Sequence, residues 1–116
     1  MLNTEKLYEN TWTIEAIVKN TECMVKTYID SLVVADRTKV LALLERTAAH
    51  GPLTNDQKFK KLSGKIFEFK SSQDRLFCFF DGKQRIVITH GWKKKDARAD
   101  KGEIQRAVQL MNEYLS

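Results

Sequence analysis

The sequence predicts an α+β domain in the order β-α-α-β-β-β-α: a small, mainly antiparallel sheet with a helical hairpin on one face and a C-terminal helix. Three observations carry this expectation. Between Lys65 and His90, three short β-branched and aromatic runs are separated by turn residues; between Val25 and Ala48, apolar residues recur twice at helical spacing; and Asp100 with Glu103 has the spacing of a capping box.

In chain order, residues 1–10 are polar and read as a loose leader to a single domain spanning 1–116. Trp12, Ile14, Ala16 and Val18 alternate, which suits a strand. Val25, Tyr28, Ile29, Leu32 and Val33 follow a helical stripe, so residues near 22–34 should be an amphipathic helix. Asp36 can cap a second helix whose stripe is Val40, Leu43, Leu44, Thr47 and Ala48, with Gly51-Pro52 as its stop. His50 then lies at a helix C-terminus, where an imidazole complements the dipole. Residues 53–64 read as a polar connection. In the last helix, Ile104, Ala107, Val108, Met111 and Leu115 form one side, expected to pack on the sheet.

The three-strand stretch permits a parity argument, because side chains alternate faces and residues opposed in a hairpin share a face. Even loops at Ser71-Ser72-Gln73-Asp74 and around Asp81-Gly82 place Glu68, Lys70, Arg75, Phe77, Phe79, Ile86, Ile88 and His90 together. Phe67, Phe69, Leu76, Cys78, Phe80, Val87 and Thr89 take the other face, the natural partner of the helical hairpin. A bulge would shift this register.

At 116 residues the chain has room for one domain and a real core. Its formal charge of +5 is unevenly placed. Residues 1–50 hold six Lys and Arg against seven Asp and Glu, whereas 51–116 hold fourteen against eight. A basic half points to a polyanionic partner, although a solvated lysine face explains the same charge. Cys23 and Cys78 fit neither a disulfide framework nor metal spacing, so reduced thiols, no metal and no cofactor are expected. The start lacks a secretory signal and no segment has membrane-spanning length, which leads us to expect a cytoplasmic protein without membrane contact.

Several stretches, taken in order, resemble the RelE/ParE superfamily of type II toxin–antitoxin toxins, and most closely its HigB-like, phage Gp49-like branch. They are Leu44-Glu45-Arg46-Thr47-Ala48-Ala49-His50-Gly51-Pro52-Leu53, Lys61-Leu62-Ser63-Gly64-Lys65-Ile66-Phe67-Glu68-Phe69-Lys70, and Arg75-Leu76-Phe77 with Phe79-Phe80. The most specific is Ile86-Val87-Ile88-Thr89-His90-Gly91-Trp92-Lys93-Lys94-Lys95, followed by Glu103-Ile104 and Ala107. The resemblance implies a growth inhibitor that cleaves mRNA, often on the ribosome. It also implies a helix-turn-helix, HigA-like antitoxin partner, with DNA engaged only through that partner. ParE-like relatives poison gyrase instead, and a phage-derived RNA-binding module without catalysis is a further alternative. The chain departs from the branch in carrying Lys70 where an arginine is usual, Asp96-Ala97-Arg98-Ala99 where a Lys-Thr-Pro is usual, and no tyrosine near Lys95.

Metal-independent RNA cleavage needs a base for the 2′-hydroxyl, cations for the phosphate and an acid for the departing 5′-oxygen. Arg75 matches a functional arginine of the relatives and is the candidate phosphate stabiliser. His90 is a candidate acid or base, Glu68 a candidate base, and Lys94 the lysine assigned to the transition state. Each has a structural alternative: an ion pair of Arg75 with Glu68 or Asp74, a hydrogen-bonded core position for His90, and an ordinary solvated run for the lysines. Lys58, Lys60, Lys61, Lys70, Lys93 and Lys95 are candidate phosphate contacts, with Trp92 as a stacking plane for a base.

Overall fold

A computed structural model describes residues 2–98 and 100–116. The chain runs β1 (Asn3–Glu9), β2 (Thr13–Lys19), β3 (Glu22–Cys23), α1 (Met24–Asp30), α2 (Val34–His50), β4 (Phe59–Ser63), β5 (Ile66–Ser71), β6 (Asp74–Phe80), β7 (Arg85–Lys93) and α3 (Lys101–Leu115). The sheet order is β1-β2-β7-β6-β5-β4, with β3 paired to β2. Among the described residues, only the central β2–β7 pair is parallel; all other pairs are antiparallel.

The expected α+β arrangement is present, with three strands more than the sequence suggested: β1 and β4 at the sheet's edges and the two-residue β3, which takes the start of the stretch expected to be helix. Residues 3–9 are not a loose leader but edge strand β1, zipped to β2 from Asn3↔Val18 to Glu9↔Thr13. The edge position explains the polar reading: Leu7 and Tyr8 pack inward, while the charged residues meet water. Likewise 59–63 is not part of a connection but strand β4, the opposite edge, anchored by the buried Phe59. Its lysines concealed it, since an edge strand tolerates charge on its solvated side.

The helices cover both faces. On one, α1 and α2 bury Val25, Ile29, Val40 and Leu44 against Phe69, Leu76 and Cys78. On the other, α3 buries Ala107, Leu110 and Met111 against Phe77, Phe79 and Val87. Fully burying each Val, Leu, Ile, Phe or Met among these contributes about 1.5–3 kcal/mol before entropy is counted, so the two layers together hold the sheet. Helix α1 is shorter than the stripe implied, and α2 starts at Val34 with Val33 as its cap residue, which places Asp36 in the first turn rather than at the cap. In α3 the buried side includes Leu110 and Tyr114, whereas Leu115 is exposed as the helix ends. Cys23 and Cys78 are free and buried.

The expected faces are found along β5 and β6 and are exchanged only on β7, over Ile86, Val87 and Ile88. Lys70↔Arg75 and Glu68↔Phe77 are opposed as expected, and the β5–β6 hairpin turns through Ser72, which takes a positive φ of 56°. Between β6 and β7, Phe77 faces His90 but Cys78 faces Ile88, so Thr89 is an extra residue in a bulge. The bulge moves Ile86 and Ile88 to the α1–α2 face and Val87 to the α3 face, contrary to expectation. His90 stays on the face of Arg75, which lies opposite Trp92.

Among the described residues, no helix is long and apolar enough to cross a membrane.

Candidate functional site

Two ranks of side chains cross the α3 face of the sheet. The register aligns Lys60, Glu68, Phe77 and His90 on β4 to β7, and two residues further along, Lys70, Arg75 and Trp92. Because opposed residues share a face, all seven point the same way. Helix α3 packs on this face through Ala107, Leu110 and Met111, which meet Ile66, Phe77, Phe79 and Val87.

Glu68 and Arg75 are the buried centre of the lysine-bearing part. Glu68 is only 7% exposed, and its carboxylate lies 3.6 Å from Arg75 Nε. Burial pushes the Glu68 carboxyl above the usual range, against the opposing pull of Arg75, Lys70, Lys94 and Lys60. Arg75 is held from behind: its Nη1 donates to the carbonyls of Ser72 and Asp74, at 2.8 and 3.0 Å. Its buried Nε has no hydrogen-bond partner among the described residues. Lys94 is tied into place by its backbone N–H, which donates to the Gln73 carbonyl at 2.8 Å. Five of the sequence-predicted residues, Glu68, Arg75, Lys60, Lys70 and Lys94, therefore come together.

Others do not. His90 is on the expected face but sealed beneath α3, at 1% exposure. Its Nε2 lies 2.9 Å from Glu103 Oε1, its Nδ1 lies 3.0 Å from Thr89 Oγ1, and the Phe77 ring packs edge-on against it. Desolvation lowers its pKa, Glu103 opposing and Arg106 reinforcing that shift. This is a buried, hydrogen-bonded structural histidine rather than an acid or base in contact with substrate. Lys61 is paired with Phe67 and so belongs to the opposite face from Lys60. Lys93 also turns away, opposite Asp74, whose Oδ1 it approaches at 2.8 Å. Lys58 is exposed at the start of β4, its carbonyl accepting from the Lys70 N–H at 2.8 Å.

Beyond Trp92 the surface opens into a groove of about 770 Å³ between residues 92–98 and the first turn of α3. Lys94, Lys95, Arg98, Lys101 and Glu103 line it along with Trp92. The sequence reading missed the last three. Glu103 carried a signal: it is the third residue after Asp100, where a capping-box glutamate turns back on its own helix. Asp100 Oδ1 does accept from the Glu103 N–H at 3.1 Å, but the Glu103 carboxylate goes to His90.

The profile of the family described as phage derived protein Gp49-like (DUF891) matches residues 27–112, from the middle of α1 to the last turns of α3. The chain belongs to this family. The matched span of the Gp49-like protein contains every residue of the Glu68 cluster and of the groove, whereas β1 and β2 lie outside it. No curated protein matches the chain. Membership is consistent with a toxin-like, phage-derived protein.

Proposed function

We propose that this Gp49-like protein is the toxin of a type II toxin–antitoxin system and acts as a metal-independent endoribonuclease on mRNA, on the ribosome or beside it, in the cytoplasm. The observation that supports it best is the buried Glu68 carboxylate, raised in pKa and faced by the Arg75 guanidinium at 3.6 Å. A carboxylate moved toward neutrality is a better proton acceptor than a solvated one, and a cation beside it is what a crowded phosphate requires.

In this reading Glu68 takes the proton of the 2′-hydroxyl and the freed oxygen attacks phosphorus. Arg75 and Lys70 balance the charge on the phosphorane, and Lys94 gives a proton to the departing 5′-oxygen. The bond to that oxygen breaks, leaving a 2′,3′-cyclic phosphate and a 5′-hydroxyl. His90 takes no part in proton transfer and acts by holding α3. Lys60 and the groove lysines bind neighbouring phosphates, while a cognate helix-turn-helix antitoxin neutralises the protein.

The test is induction of the protein without its partner, with transcript ends mapped by primer extension. Growth arrest with new 5′-hydroxyl ends is expected, and Glu68→Gln should abolish both. Arrest with intact transcripts and double-strand DNA breaks would replace this reading by a gyrase poison, and a harmless protein that binds RNA would reduce it to a binding module.

A further inference from the structure

The groove beside Trp92 is built differently from the Glu68 cluster. Lys94, Lys95, Arg98 and Lys101 give it the charge of a phosphate path, yet a carboxylate stands among them. Repulsion of phosphate is what an acidic group in such a place should cause. Three acidic residues line the groove, and two are used locally: Asp96 Oδ1 accepts from the Arg98 N–H at 2.9 Å, and Asp100 caps α3. Glu103 is different. Its side chain is about a quarter exposed, and its Oε1 lies 2.9 Å from the Nε2 of the buried His90.

The hydrogen-bond chain behind it fixes its role. The carboxylate can only accept, so Nε2 carries the proton donated to Glu103, while Nδ1 lies 3.0 Å from the Thr89 hydroxyl, which itself donates to the Phe77 carbonyl at 3.2 Å. The result is a carboxylate clamped from below, with acceptor capacity left toward the groove. On the same wall is Trp92, half-buried and packed edge-to-face on Phe77 at 5.6 Å, so its position is set by the core. An aromatic plane, cations and a fixed acceptor are the three elements by which proteins take up one unstacked nucleotide: stacking, phosphate contact and reading of the base edge.

We propose that the groove between Trp92 and the first turn of α3 is a subsite for one unpaired RNA nucleotide, and that Glu103 makes it select guanine. This deepens the ribonuclease reading and relies on its RNA-binding half. The selectivity follows from the base edges. Guanine presents two adjacent donors, N1–H and N2–H, to a carboxylate. Adenine and cytosine each set a ring-nitrogen lone pair beside their amino group, and uracil flanks its single N–H with two carbonyls. All three therefore direct a repulsive lone pair at Glu103.

The test uses 2′-O-methyl oligonucleotides, which cannot be cleaved, of all-uracil sequence or with a single central guanine, adenine or cytosine. Anisotropy of the labelled oligonucleotides should show guanine bound about tenfold tighter than the others, the discrimination of one good two-point contact. Glu103→Gln and Glu103→Ala should both remove this preference while leaving the all-uracil affinity equal or higher, since a negative charge has left a basic groove. No binding, equal affinities in the wild type, or a preference that survives both substitutions would overturn the subsite. Unmodified RNA of the same sequences separates the two readings. Guanine-selective binding without cleavage would overturn the ribonuclease and leave the subsite standing, and cleavage without selective binding would do the reverse.

Discussion

His90 Nε2 lies 2.9 Å from Glu103 Oε1, so the last helix is fastened to the centre of the sheet by a side chain of its first turn. This contact decides what His90 does. An imidazole on the same face as Arg75 has the reach of a catalytic group in an open sheet, but here α3 lies over it and its two ring nitrogens are engaged.

The first prediction is a pH dependence of stability. The folded-state pKa of His90 is lowered by burial, so its contribution is fully present above the unfolded value of about 6.5 and is lost as pH falls through the folded value. Urea denaturation midpoints should fall from pH 7.5 toward pH 5. His90→Gln should flatten that slope and cost about 1–3 kcal/mol at pH 7.5, because buried partners lose a hydrogen bond.

Glu68 has the opposite sign. Its folded pKa is raised, so the stability it contributes is fully present below about 4.5 and is lost as pH rises through the folded value. Glu68→Gln should be at least as stable as wild type at neutral pH in thermal unfolding. It should lower the cleavage rate by at least about 10²-fold, the contribution of a general base. Loss of activity together with loss of folding would contradict this assignment.

The salt dependence of RNA binding should locate the phosphate path. Replacing Lys60, Lys70 or Lys94 by Ala should each reduce the slope of log affinity against log salt by about 0.7 for a single strand. Lys61 is on the other face, and Ala there should leave the slope unchanged within error in a filter-binding titration.

Gly91 should not tolerate a side chain. A Cβ there would come 2.6 Å from Tyr28 Cδ2 and 2.8 Å from Leu76 Cδ2. Gly91→Ala should therefore destabilise by about 1–3 kcal/mol, the cost of overpacking, as read by chemical denaturation. Tyr28 crosses Gly91 so that its hydroxyl can donate to Asp74, a residue 1% exposed. Tyr28→Phe should cost a similar ~1–3 kcal/mol, since the Asp74 carboxylate would keep only Lys93.

Much of the fold was legible because alternation and the 3.6-residue stripe are local. Val40, Leu44 and Ala48 announce the buried side of α2, and Phe67, Phe69, Leu76 and Cys78 the side of the sheet that α1 and α2 cover. Strands β1 and β4 were not legible, because an edge strand is stabilised by its neighbour's hydrogen bonds and can keep a loop's composition. The bulge at Thr89 was equally hidden: one unpaired residue reverses the faces of Ile86, Val87 and Ile88 without altering the apolar pattern.

What the sequence by itself determined is the α+β class and the pairing of Lys70 with Arg75 and Glu68 with Phe77, since strand period and turn length set these within a few residues. Only the tertiary structure decided which groups meet solvent. The seal over His90, the turn of Lys93 toward Asp74 and the meeting of Glu103 with Trp92 in one groove all depend on where α3 and α1 settle. Those placements arise from apolar burial summed over two sheet faces, a property of the assembled layers that no short stretch of chain contains.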